Sequence, residues 1–119
     1  MATILLIDDE ESVRMVFQVA LERAGYRVLT AENGKQGLCL SEHQEVDLIS
    51  VDIFMPEMDG LELIPLPRKT RPANKIIAIS GGSGRRNYLD MAKHLGADDT
   101  LMKPFSLQEL LDAVSSQLK

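Results

Sequence analysis

Leu48-Ile49-Ser50-Val51-Asp52-Ile53 runs directly into Phe54-Met55-Pro56-Glu57-Met58-Asp59-Gly60. The apolar, β-branched run predicts a buried strand over Val46–Val51, and the Pro/Gly segment behind it predicts a loop. Asp52 is thereby delivered to the C-terminal end of a strand. In open α/β sheets that end is where ligands and chemistry collect. An aspartate there is a metal ligand, a nucleophile or a cap for the loop that follows. Residues elsewhere in the chain decide among the three.

Upstream, Thr3-Ile4-Leu5-Leu6-Ile7 is another continuous apolar run, which predicts a strand buried on both faces. Asp8-Asp9-Glu10-Glu11-Ser12 ends it. A helix follows, with Val13, Val16, Phe17, Ala20, Leu21 and Ala24 on the inner face, Arg14, Gln18 and Glu22 opposite, and Gly25 as its stop. Tyr26–Thr30 reads as a second strand. Asn33 caps a short helix from Gly34 to about Glu42 whose apolar face is weak.

Downstream, Lys75–Ile79 is a fourth strand, followed by Ser80-Gly81-Gly82-Ser83-Gly84. A helix carrying Tyr88, Met91, Ala92 and Leu95 stops at Gly96, and a short fifth strand covers Asp99–Met102. The last helix opens with a capping box, Ser106 and Glu109, and Phe105 can staple onto Leu110. Its inner stripe reads Leu107, Leu110, Leu111, Val114 and Leu118. One segment resists this pattern. The helix expected over Leu61–Arg68 contains Pro65 and Pro67, and an interior proline costs about 3 kcal/mol, so that helix is expected to be short, kinked or partly non-helical beyond Ile64.

Strand and helix alternate five times. This predicts an α/β fold of (βα)5 type: a doubly wound, five-stranded parallel sheet of order 2-1-3-4-5, flavodoxin-like and three-layered. The 119 residues suit one domain, 1–119, with no linker and no effector segment. A net charge of -5 argues against general nucleic-acid binding. No apolar run approaches the roughly 20 residues of a membrane span, and Met1-Ala2-Thr3 lacks the basic start of a signal peptide. The single cysteine, Cys39, excludes an internal disulfide and fits a reducing cytoplasm. Between Leu38 and Leu40 it reads as a buried, inert thiol. His43 and His94 read as solvated side chains on helices, with no partner at ligand spacing.

The polar residues at the strand ends converge in such a sheet. The first strand supplies Asp8 and Asp9, the third Asp52, the fourth Ser80, and the fifth is followed by Lys103-Pro104. Three carboxylates in one crevice repel one another, and a divalent cation relieves this. An all-oxygen site with few protein ligands suits Mg²⁺ (or Mn²⁺), commonly with a phosphate completing the shell. Cation, lysine, hydroxyl and a free carboxylate together make a phosphoryl-transfer site. The plainer alternative is a set of surface acids capping the first helix and a lysine in solvent.

Ile7-Asp8-Asp9-Glu10, Asp52 with Met55-Pro56-Glu57-Met58-Asp59-Gly60 behind it, Ser80-Gly81, Gly96-Ala97 and Lys103-Pro104-Phe105, in that order, resemble the receiver domains of bacterial two-component response regulators. The single-domain chemotaxis regulator belongs to that family, and the resemblance covers essentially the whole chain. It implies that Asp52 accepts a phosphoryl group from a phosphohistidine on a sensor histidine kinase or phosphotransfer protein. It implies Mg²⁺ ligation by Asp9, Asp52 and the backbone carbonyl of Phe54, with Asp8 acting through water. Lys103, on a Lys103-Pro104 peptide that is cis in the family, would pair with the phosphoryl oxygens. Ser80 would move to bind them, beside the small residue Gly81. The output would reach a downstream effector protein or an effector domain missing from this chain.

Two features depart from the family pattern. Thr100 stands where an aromatic switch residue is common, and Pro65 and Pro67 interrupt a helix. A pseudo-receiver that binds partners without phosphorylation therefore stays open. A phosphatase of the haloacid dehalogenase type needs a general acid two residues after the nucleophile, and Phe54 there cannot transfer a proton. A flavin-binding carrier on this fold needs a phosphate loop after the first strand, where Asp8-Asp9-Glu10-Glu11 would repel it.

Overall fold

The computed structural model describes residues 1–53, 74–81, 93, 96–103 and 105–118. The strands are β1 (Thr3–Ile7), β2 (Arg27–Ala31), β3 (Leu48–Asp52), β4 (Lys75–Gly81) and β5 (Asp99–Lys103). The described helices are α1 (Glu11–Arg23), α2 (Gly34–His43) and α3 (Leu107–Gln117). The strands pair in parallel in the order β2-β1-β3-β4-β5. This is the flavodoxin-like sheet expected from the alternation. The helices expected over Leu61–Arg68 and around Tyr88–Leu95, with Pro65 and Pro67, lie outside the described residues except at Lys93.

The apolar runs become strands buried on both sides, and alternation sorts them into two layers. Leu5, Ile7, Ile49, Val51, Ile76 and Ala78 form one core, against which Leu38 and Leu40 of α2 pack. Ile4, Leu6, Leu48, Ile77 and Ile79 form the other, closed by Leu21 of α1 and by Leu110, Ala113 and Val114 of α3. Each fully buried leucine or isoleucine contributes about 2 kcal/mol of transfer free energy.

Local signals set the helix ends. Gly25 has φ +100°, a backbone conformation that favours glycine, and so ends α1. Asn33 Oδ1 accepts the Gln36 amide at 2.8 Å to start α2. Ser106 and Glu109 form the expected reciprocal capping box at the start of α3.

Three expectations need correction. β3 covers Leu48–Asp52 rather than Val46–Val51, with Asp52 at its C-terminal end as expected, and β4 runs past Ile79 to Gly81, so Ser80 is a strand residue rather than a loop residue. α1 is turned relative to its expected face: Val16 is 51% exposed and Ala24 is exposed, whereas Arg14 and Gln18 are half-buried. Likewise Leu107 of α3 is 41% exposed. Finally, Cys39 is exposed, not buried. At about 100° per residue, Cys39 lies opposite the buried Gly34, Gly37 and Ser41 of α2. Its Sγ lies 3.8 Å from His43 Nδ1, which in turn contacts the Cys39 carbonyl at 2.9 Å.

Candidate functional site

Asp8 follows the last residue of β1, and its amide still donates to the Ala31 carbonyl at 3.2 Å. Its side chain is buried, 5% exposed, and Oδ1 accepts the Glu10 amide at 2.9 Å. Asp8 thus does the capping work at α1, where Glu10 at the N-cap makes no side-chain hydrogen bond. Arg14 Nη1 donates to the Asp8 carbonyl at 2.6 Å and pins the turn from the first helical coil. Carboxylate oxygens of Asp8, Asp9 and Glu10 lie within 4.8 Å of one another, with Asp9 and Glu10 exposed.

Asp52 closes β3 and is 6% exposed. It pairs with Ile79, and the Ile53 amide donates to the Ile79 carbonyl at 2.9 Å. β1 pairs with β3 from Ile4↔Leu48 to Ile7↔Val51. Continuing that register sets Asp8 opposite Asp52 on strands about 4.8 Å apart. Alternation gives both the face of Ile4, Leu6 and Leu48. The two buried carboxylates therefore share one corner, with the exposed Asp9 and Glu10 at its rim.

Ser80 is next along β4, opposite Met102, and wholly buried. Among the described residues its Oγ has no hydrogen-bond partner. Alternation places it with Ile76 and Ala78, on the sheet face opposite to that of Asp52. Lys103 closes β5 and pairs with Gly81, so its backbone lies two strands across from Asp52 and two residues further along, about 12 Å away. The structure thus brings Asp8, Asp9 and Asp52 to one corner, sets Lys103 across the end of β4, and holds the Ser80 hydroxyl back. The Phe54 carbonyl, the 82–84 loop, Pro104 and the Lys103 side chain lie outside what is described.

The sequence places Glu10 in the acidic motif but not among the expected cation ligands, and it gives Arg14 no role at the site. Glu10 could have been found, since it continues the acidic run. Arg14 could not, because its role is a contact to a backbone carbonyl six residues earlier. The donor set is all carboxylate oxygen, which fits a hard divalent cation and not a soft metal. The burial of two carboxylates side by side gives such a cation a physical reason to bind.

A parallel 2-1-3-4-5 sheet with acids beyond β1 and β3 and a lysine ending β5 defines a receiver-type signalling domain. Residues 4–115 match the model of the response regulator receiver domain, and the chain belongs to that family. It is 35% identical over 116 residues to the alkaline phosphatase synthesis transcriptional regulatory protein PhoP of Bacillus subtilis, covering 98% of this chain and 48% of PhoP. It spans about half or less of the length of the curated relatives it matches. A CheY-like response regulator receiver domain protein from Methanospirillum hungatei superposes with a TM-score of 0.92 at 31% identity, covering 99% of this chain and 94% of that one. The response regulator TrrA from Thermotoga maritima, solved with Mg²⁺-BeF, gives a TM-score of 0.89 at 35% identity, covering 99% and 100%. The chain is thus a receiver domain of two-component, phosphorelay signalling. Among the described residues, no helix is long and apolar enough to cross a membrane.

Proposed function

We propose that Asp52 is the phosphoacceptor of this receiver. The observation that carries the reading is the pairing of two buried carboxylates, Asp52 and Asp8, at the ends of adjacent strands beside the Asp8–Asp9–Glu10 group. An Asp52 carboxylate oxygen attacks the phosphorus of a phosphohistidine on a sensor histidine kinase or phosphotransfer protein. The P–N bond breaks and the imidazole leaves, taking up a proton. Water later attacks the same phosphorus, restoring the carboxylate and releasing inorganic phosphate. Turnover is confined to this loading and self-resetting.

Asp9, Asp52 and the Phe54 carbonyl would hold Mg²⁺ (or Mn²⁺), with Asp8 acting through water. Bound there, the cation supplies charge neutralisation for the transferring group. Lys103 contributes a second positive charge on the other side of the site. Ser80 supplies a hydroxyl that lacks a partner until it turns toward the phosphoryl oxygens. The likeness to TrrA, whose structure holds Mg²⁺-BeF, supports this assignment. We assign residues 1–119 to one receiver unit acting in the cytoplasm, with its output passing to an effector protein or effector domain.

The test is incubation with acetyl phosphate and Mg²⁺, followed by intact-mass measurement. Wild type gains one phosphoryl group, and Asp52→Asn gains none. Equal uptake by Asp52→Asn would overturn the assignment, and no uptake by wild type would favour a receiver that works without phosphorylation.

A further inference from the structure

Asp9 lies between β1 and α1 and belongs to neither, and it is exposed. Neither sheet nor helix therefore fixes a residue expected to hold the cation. The backbone on either side of it is nevertheless held by side chains. The peptide group before Asp9 is bound at its oxygen, the Asp8 carbonyl accepting from Arg14 Nη1 at 2.6 Å. The peptide group after Asp9 is bound at its nitrogen, the Glu10 amide donating to Asp8 Oδ1 at 2.9 Å. Peptide groups are planar, so the orientations of the two that flank a residue set its φ and ψ. With both tied, Asp9 keeps little backbone freedom, and its Cα–Cβ bond is aimed.

Arg14 also holds the far end of the acidic turn, its amide donating to the Glu10 carbonyl at 3.1 Å. Any residue but proline at that place in the helix makes such a backbone bond. The bond to the Asp8 carbonyl is different. It needs a long side chain with a donor at its tip, reaching back six residues. Nothing else about the position favours a cation. Arg14 is the fourth residue of α1, near the helix end where the dipole favours acids. A positive charge beside the acidic corner also repels a divalent cation. Yet Arg14 is half-buried and bonded to the turn rather than extended into solvent.

We propose that Arg14 is a positioning residue for the cation site: by tying the Asp8 carbonyl it holds the Asp9 backbone, and so aims the Asp9 carboxylate before a cation arrives. This role rests on the reading of Asp9 as a Mg²⁺ ligand. It makes the bond to the Asp8 carbonyl decisive and the charge of Arg14 incidental. The two have opposite consequences when the side chain is replaced. Losing the bond weakens cation binding, whereas losing the charge strengthens it.

Mg²⁺ titration of the whole chain at low ionic strength, without phosphodonor and followed by amide NMR shifts, tests this. Arg14→Met keeps a long stem and removes both donor and charge. Its Mg²⁺ affinity should fall roughly tenfold, the low end for losing a group that orients a metal ligand. Repulsion alone predicts tighter binding instead. Arg14→Lys, which keeps a charged donor, should fall between wild type and Arg14→Met. In the metal-free protein the Glu10 amide should exchange about tenfold faster in Arg14→Met, with Ile49 and Val51 unchanged. Asp9→Ala reports on the cation site itself. If Asp9→Ala loses affinity while Arg14→Met binds as tightly as wild type or tighter, the role of Arg14 is overturned and the site stands. If Asp9→Ala binds like wild type, the site and the role of Arg14 fall together. Should circular dichroism show Arg14→Met unfolded, Arg14→Lys decides. Weaker binding than wild type upholds the role, and equal binding overturns it.

Discussion

A hydroxyl buried without a hydrogen bond, as at Ser80 Oγ, costs about 1–3 kcal/mol. Its neighbours along the same sheet face, Ile76 and Ala78, are apolar and offer it nothing. Ser80→Ala removes the unpaired group and leaves only a small void. The unphosphorylated chain should therefore become more stable by about 1 kcal/mol, read from urea unfolding. In the same variant the phosphoryl group should be taken up more slowly or lost sooner. A variant less stable than wild type would show that the hydroxyl is not a burden to the resting fold. The position of Ser80 at a strand end was legible from the apolar run before it. Its orientation was not, because one more residue of strand moves a side chain to the opposite face.

Helices and strands differ in how openly the sequence declares them. Apolar runs buried on two faces announce the strands without ambiguity, and Asp8 and Asp52 fell at the ends of neighbouring strands for that reason. α2 hid its inner face because its buried residues are Gly34, Gly37 and Ser41, while Leu38 and Leu40 pack against the core only in part. A methyl added at Gly37 would run into Ile7, so small size rather than hydropathy lets the helix approach β1. α1 misled for the opposite reason, having apolar residues on both its inner and outer sides. A further pair of contacts had no sequence signal. Asp47 exchanges bonds with Thr3, its amide donating at 2.9 Å and its carboxylate accepting at 2.8 Å. Asp98 does the same with Ile76, at 2.7 and 2.8 Å. Each aspartate sits just before a strand and clamps its neighbour at the end of the sheet away from the site. Asp98→Ala should lower unfolding free energy by about 1–2 kcal/mol, while Asp98→Asn, which keeps an acceptor oxygen, should lose less. Phosphorylation of Asp52 should be unaffected in both, and equal losses in stability would remove the carboxylate from the explanation.

The molecule separates its edges: buried and exposed acids gather at the C-terminal ends of β1 and β3, clamps at the N-terminal ends. It separates its two core layers in another way. The layer with Leu5, Ile7, Ile49 and Val51 receives α2 from early in the chain. The layer with Ile4, Leu6, Leu21 and Ile77 is closed by Leu110 and Val114 of α3, both fully buried. Leu110→Ala should cost about 2–5 kcal/mol in urea unfolding, with loss of cooperativity if the second layer opens alone. On the ribosome these layers cannot mature together. Ile4 and Leu6 leave the exit tunnel roughly 100 residues before the helix that covers them, about 5–20 s at usual synthesis rates. For that interval α1, through Leu21, is the only described helix over this greasy face, which makes this side of the molecule, and not the acidic edge, the one a chaperone would meet first.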